Sequence, residues 1–310
     1  MSPAIDIAQA PPVQFESGLR DFLYTAALLA HLGPEARAAA AEIAAAIEPA
    51  GEPGRTCIDA GGRLMLSVAA PGGRSLRVLA RCSTDAPGVM RWRRWYRQAG
   101  ASPELWISEA YGATPAAFER ASIAASRIGA GARLRRMQEI LGLRARIYSV
   151  SWRTDGRDGA TVSWQLDRSY RPQDALAALG FGTAWPAVPP VWQELLGFTP
   201  GPRSGPWSIL LPLHGDEPRV RVGSTNWALK PEEPDKRRRL VRLIDRLGGD
   251  ARYADAMYKL MESAVPPECR RAVGRAAEID IVEGTVTGAE FYLCLPEQTR
   301  ITHTIRPGGS

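Results

Sequence analysis

Four times along this chain, segments with helical periodicity give way to a pair of short segments in which apolar and polar residues alternate with a period of two. Residues 13–32 carry Phe15, Leu19, Phe22, Leu23, Ala26 and Leu29 at helical spacing. The run stops at Gly33, and Pro34 opens a second, alanine-rich helix to about residue 47. Strand patterns at 63–70 and 75–82 follow, joined by Pro71-Gly72-Gly73. Helical patterns at 87–99 and 115–140 precede a hairpin of 144–152 with 160–168, which turns through Thr154-Asp155-Gly156-Arg157-Asp158-Gly159. Helices at 172–179 and 191–196 precede a hairpin of 207–213 with 219–223, and helices at 234–247 and 251–263 precede one of 277–283 with 288–295. Successive hairpins build antiparallel sheet, and helix pairs placed between them cover one of its faces. The expected class is α+β: repeated αββα units forming an antiparallel barrel of 8–10 strands surrounded by helices, wide enough to hold a ligand. One domain over 13–296 is expected, with an arm at 1–12 and a tail at 297–310.

The two strand faces differ in chemistry. One is apolar: Leu64, Leu66 and Val68; Leu76, Val78 and Ala80; Val220 and Val222; Phe291, Leu293 and Leu295. The other carries Arg77 with Arg81, Arg146 with Tyr148 and Trp152, Arg219 with Arg221, and Glu290 with Tyr292. Guanidiniums in a dry core require partners. Recurrence of this mixture over four hairpins points to a lined interior, where aromatic rings and arginines face one another rather than water.

This arrangement resembles the ABBA-type aromatic prenyltransferases, whose barrel is built from αββα units. The resemblance spans about residues 13–296 and rests on architecture and on strand faces such as Arg146-Ile147-Tyr148 and Arg219-Val220-Arg221. The family has five hairpins; the fifth is sought in 55–59 and 106–111. The resemblance implies transfer of an isoprenyl group from an allylic diphosphate to an aromatic small molecule or peptide side chain, with Mg2+ as an optional companion of the diphosphate. The chemistry assigns Arg77, Arg81, Arg146, Arg219 and Arg221 to the diphosphate, since a leaving anion needs neutralising in a water-poor chamber. Tyr148, Trp152, Trp164, Trp207 and Tyr292 form the candidate wall for the prenyl group and the acceptor. Asp59 and Glu290, with Asp280 a further option, are the candidate proton-accepting carboxylates.

The net charge of +6 suits an acidic partner, and because Lys230, Lys236 and Lys259 are the only lysines, nearly all of it is arginine. That leaves an alternative open: a non-catalytic basic protein that binds nucleic acid or another anion, with Lys236-Arg237-Arg238-Arg239 as its patch. A third possibility is a barrel that carries a hydrophobic ligand. Met90–Arg97 interleaves cations with aromatics, and helical spacing gathers Trp92, Trp95 and Tyr96 on one side, favouring an amphipathic helix over a nucleic-acid platform. Four cysteines without CxxC spacing and three histidines argue against a metal cluster. No GxxxxGK[ST], GxSxG or DDxxD pattern occurs. No apolar run is long enough for a membrane span. A cytoplasmic monomer is expected.

Overall fold

The computed structural model describes residues 19–47, 58–59, 64–82, 89–111, 116–155, 159–198, 201, 207–214, 219–224, 235–264, 273–294 and 300–301. Ten strands close into an antiparallel barrel. In chain order they are β2 (Leu64–Ala70), β3 (Leu76–Cys82), β4 (Val89–Arg97), β5 (Glu104–Tyr111), β6 (Ala145–Arg153), β7 (Thr161–Leu166), β8 (Trp207–Pro212), β9 (Arg219–Ser224), β10 (Gly274–Val282) and β11 (Thr285–Cys294). Each pairs with its sequence neighbours, and β11 pairs with β2 to seal the ring. A separate two-stranded sheet joins β1 (Ile58–Asp59) to β12 (Arg300–Ile301).

Among the described residues, eight α-helices surround the barrel in four pairs: α1 (Leu19–Leu29) and α2 (Ala36–Ile47), α3 (Ala117–Arg127) and α4 (Gly131–Leu141), α5 (Pro172–Ala178) and α6 (Val188–Leu196), α7 (Lys236–Arg246) and α8 (Ala251–Ser263). The pattern expected over 115–140 divides because Gly129, at φ 74°, turns the chain between α3 and α4.

The fifth hairpin is β4–β5. Residues 104–111 do supply a strand, but its partner is 89–97, where a helix was expected, rather than 55–59. Cations stand on both faces of this strand, which blurs its period of two. Arg91 and Arg97 face the helices, where they meet Glu109 at 2.8 Å and Glu35 at 3.2 Å, and Arg94 faces inward. The aromatic content of Met90–Tyr96 favours extended backbone over helix.

The core lies between the barrel and the helices. Leu64, Leu66, Val68, Leu76, Val78, Ala80, Val220, Val222, Phe291 and Leu293 are all buried there, on the face expected from their alternation. The tryptophans need correcting. Trp164 is 0% exposed and stands opposite Ile147 and Ile209, both core residues on the helix side. Trp207 packs edge-on against Trp185 and Trp192, with ring centroids 5.4 and 5.7 Å away. Trp152 also packs on this core, because β6 is bulged between Ile147 and Ser149. The extra residue, Tyr148, shifts the alternation, so that Ser149, Ser151 and Arg153, rather than Trp152, continue the inward face begun by Arg146. None of these three tryptophans lines the interior.

Trp164→Ala is therefore expected to cost about 3–5 kcal/mol of stability in urea unfolding, while Tyr148→Ala, at a position 44% exposed, changes it by less than about 0.5 kcal/mol.

Candidate active site inside the barrel

Hydrogen bonds that skip strands reveal the interior. Arg94 of β4 donates to the Tyr292 hydroxyl of β11 at 2.8 Å, although β2 and β3 stand between those strands. Arg221 of β9 reaches Glu290 of β11 across β10 at 3.3 Å. Side chains of non-neighbouring strands meet this way only where a closed sheet curves around them.

These contacts belong to one lattice of three arginines and three carboxylates. Arg221 grips Asp280 through two parallel bonds of 2.9 Å, donates to Glu278 at 3.0 Å and also bonds Glu290. Glu290, 2% exposed, accepts from the Ser67 hydroxyl at 2.6 Å and has Arg77 and Arg94 each at 3.7 Å. The Tyr292 hydroxyl takes a hydrogen from Arg94 and gives its own to Glu278 at 2.8 Å. Arg77 also lies over the Tyr96 ring, 4.5 Å from its centroid.

The lattice fixes its own protonation. Burial drives the Glu290 carboxyl upward, but Arg94, Arg77 and Arg221, with the Ser67 hydrogen bond, outweigh it and hold the carboxyl at about 2, against an ordinary 4.5. Burial also opposes the charge on Arg221, and Glu278, Asp280 and Glu290 overcome it, raising Arg221 well above the usual arginine value. Burial pushes the Tyr292 hydroxyl far up, so it remains a neutral donor.

The other half of the wall is different. Reading the register inward from Arg94 and Arg221, β5 to β8 present Trp106, Ser108, Ser149, Ser151, Ser163 and Ser208. Ser151 donates to Ser108 at 2.8 Å across the β5–β6 seam. Gly223 lies where the two halves meet: a Cβ there would come within 2.7 Å of the Ser208 hydroxyl and 3.1 Å of Glu278, so only glycine lets both side chains cross it.

The barrel thus brings together Arg77, Arg221, Glu290 and Tyr292 of the residues expected from sequence, with Asp280 beside them. Arg81 stands opposite Trp92 in the β3–β4 ladder, and its side chain lies outside the described residues. Arg146 lies at one end of the barrel on Gln165, and Tyr148, on the bulge, is exposed. Arg219 is exposed at the opposite end, on the first residue of β9. Asp59 is not on the barrel wall at all; its backbone pairs with Arg300 in the separate two-stranded sheet, and its side chain lies outside the described residues. Sequence reasoning missed Arg94, Glu278 and the inward aromatics Trp92, Tyr96 and Trp106. Four of these five sit on the hairpin whose first strand reads as a helix, and the aromatic enrichment of 90–96 was the available signal. Among the described residues, no cluster of three His, Cys, Asp or Glu side chains is placed to hold a metal ion.

A closed ten-stranded barrel with a polar, aromatic-bearing interior and an outer ring of paired helices is the ABBA-type prenyltransferase fold. Solved structures of that type match nearly the whole chain. The 6-dimethylallyltryptophan synthase of Micromonospora olivasterospora, in complex with DMASPP and Trp, superposes with a TM-score of 0.66 at 16% identity, over 92% of this chain and 99% of that one. The 5-dimethylallyltryptophan synthase of Streptomyces coelicolor gives 0.62 at 11% identity, over 94% and 100%. AnaPT from Neosartorya fischeri gives 0.55 at 12%, over 96% of each chain. No protein-family model matches the sequence, and no curated protein matches it. At these identities the likeness establishes the fold.

Glu290→Gln leaves three interior guanidiniums facing two carboxylates and is expected to destabilise the protein by about 3–5 kcal/mol at neutral pH. Because the folded-state value of Glu290 lies below its unfolded value, its contribution is complete above about pH 5 and disappears as pH falls toward about 2, a change of about 3 kcal/mol. Urea midpoints measured from pH 7 to pH 2 should therefore fall for the native chain and change less for the variant.

Proposed function

We propose that this protein transfers an isoprenyl group, dimethylallyl or longer, from its diphosphate to an aromatic acceptor inside the barrel, the acceptor being a small molecule or a peptide side chain. The observation that carries this reading is the interior itself: fixed guanidiniums, neutral aromatic donors and carboxylates enclosed by the fold that the tryptophan prenyltransferases share. Two solved relatives were crystallised with DMASPP or dimethylallyl thiolodiphosphate together with tryptophan.

In this reading the C1–O bond of the allylic diphosphate breaks with both electrons leaving on oxygen, and guanidiniums neutralise the departing anion. The allylic cation forms among Trp92, Tyr96, Trp106 and Tyr292, whose π faces and nearby carboxylates stabilise positive charge. An aromatic carbon attacks it, and the ring then loses its proton to a carboxylate. Glu290 is a weak base when held at about 2. Asp280 has both oxygens on Arg221. Glu278 meets Tyr292 and Arg221 through the same oxygen, Oε2, and borders the serine-lined half, so it is the carboxylate assigned to the proton. The charge of the diphosphate is met here by arginine, with Mg2+ at most an accompanying ion.

The basic-patch alternative is weakened by pairing on α7. Lys236 is buried, Arg237 meets Asp255 at 3.2 Å and Glu262 at 3.1 Å, and Arg238 meets Asp235 at 2.8 Å. No helix among the described residues is long and apolar enough to cross a membrane.

Calorimetric titration with dimethylallyl and geranyl diphosphates should show saturable binding, and incubation with indoles, phenols and tryptophan-containing peptides should give products heavier by one prenyl group. Absence of binding by every isoprenyl diphosphate would sink the assignment. Glu278→Gln is expected to lower kcat by about 10²–10⁴-fold while leaving donor affinity in place.

A further inference from the structure

One cleft takes no part in this chemistry. It opens at the end of the barrel where β6 begins and β7 ends, has a volume of about 450 Å³, and is lined by Leu143, Arg144, Arg146, Gln165, Asp167 and Arg168. Three guanidiniums here meet one carboxylate, and Asp167 is already engaged by the backbone N–H and the hydroxyl of Ser169, both at 2.8 Å. At the opposite end of the barrel Arg153 is matched by Asp155 at 2.7 Å and Glu104 at 3.3 Å.

Two of the guanidiniums are held in place before any ligand arrives. Arg144 lies over the ring of buried Tyr170, 4.3 Å from its centroid, which occupies one face and leaves the in-plane N–H donors at the edge. The Gln165 side-chain oxygen accepts from Nε and Nη2 of Arg146 and leaves Nη1 for another acceptor. Such forks match the two oxygens of a carboxylate. Leu143 stands beside them fully exposed, so the cleft offers an apolar contact next to its charges. A peptide supplies carboxylates and apolar side chains together.

One continuous row of the sheet joins the cleft to Glu278, the carboxylate assigned to the proton. Arg146 pairs with Gln165, Gln165 with Ser208, Ser208 with Gly223, and Gly223 with Glu278. Because Gly223 has no side chain, only the Ser208 hydroxyl stands in the row between Gln165 and Glu278. From Gln165 to Glu278 the row crosses three strand spacings, about 14 Å along the wall, which about four extended residues cover at about 3.5 Å each. A peptide held by its carboxylates at the cleft therefore brings an aromatic residue about four positions away to Glu278, and leaves the interior guanidiniums to the donor.

We infer that the Arg144–Arg146–Arg168 cleft docks an acidic segment of the acceptor, which is a peptide whose aromatic residue lies about four positions from its carboxylates. This deepens the prenyl-transfer reading and rests on it for the fate of the aromatic residue, but docking can be measured without the donor. Capped nine-residue peptides with a central tryptophan, and either glutamates or glutamines at both ends, serve as probes in calorimetry. The glutamate peptide should bind the native chain at least about tenfold more tightly than the glutamine peptide, a comparison that needs no variant. R144Q/R146Q/R168Q, which changes three side chains exposed in the native chain, should erase that difference. R242Q, the loss of an exposed charge on α7, should alter it by less than about twofold. Equal binding of the two peptides, or native affinity of the triple variant for the glutamate peptide, would overturn the inference. So would an equal loss in the triple variant for inorganic diphosphate or for N-acetyltryptophan, or a single-stranded oligonucleotide that binds the cleft more tightly than the glutamate peptide. If the glutamate peptide docks through the cleft and nothing is ever prenylated, docking stands and the transferase reading falls; if small indoles are prenylated and neither peptide binds, the reverse holds.

Discussion

Everything inside this barrel depends on the matching of buried charge. A guanidinium removed from water costs several kcal/mol unless an anion and hydrogen-bond acceptors replace the solvent, and the lattice holds three of them. It is habitable because Glu278, Asp280 and Glu290 arrive from β10 and β11 to meet arginines from β3, β4 and β9. The matching needs ring closure. Arg94 and Tyr292 are 198 positions apart in sequence, yet they meet because β11 pairs with β2. The polar network therefore ties the two ends of the sheet together from within, while the helices tie it from outside.

This arrangement divides the barrel into a rigid half and an accommodating one. Around β9, β10, β11, β2, β3 and β4 the side chains hold one another; around β5 to β8 short hydroxyls such as Ser108, Ser151 and Ser163 line the wall without filling it. In the proposed transfer, large substrates would occupy the second half, and the first would supply fixed dipoles and charges that need no reorganisation. Gly223 marks the boundary, the one inward position of β9 at which a side chain would obstruct both neighbours.

Much of the architecture was legible in the sequence because most strands alternate cleanly. Leu64, Leu66 and Val68, or Val220 and Val222, could face only the helices, and Arg77 and Arg221 were placed inward by the same parity. The signal failed where parity carried no contrast. In β4 arginine occupies both faces, so Trp92, Arg94 and Tyr96 were taken for part of a helix. Trp164 and Trp207 misled for another reason: a tryptophan suits an enclosed wall and a core equally well, and these two lie in the core on the helix side of the barrel rather than in the chamber. Asp59 shows a third limit, since a two-residue strand gives no indication of which sheet it joins.

The bulge at Tyr148 changes how the length of this hairpin can vary. Beyond it, Ser149, Ser151 and Arg153 face inward only because one extra residue has shifted the alternation of the strand. The same residues run without the bulge would present Val150 and Trp152 to the interior and hand two serines and an arginine to the apolar layer beneath α3, whereas removal of Tyr148 itself would restore a regular ladder with the present faces. Any relative aligned to this stretch without a gap, but lacking the bulge, would have its inward and outward positions exchanged from here to the turn.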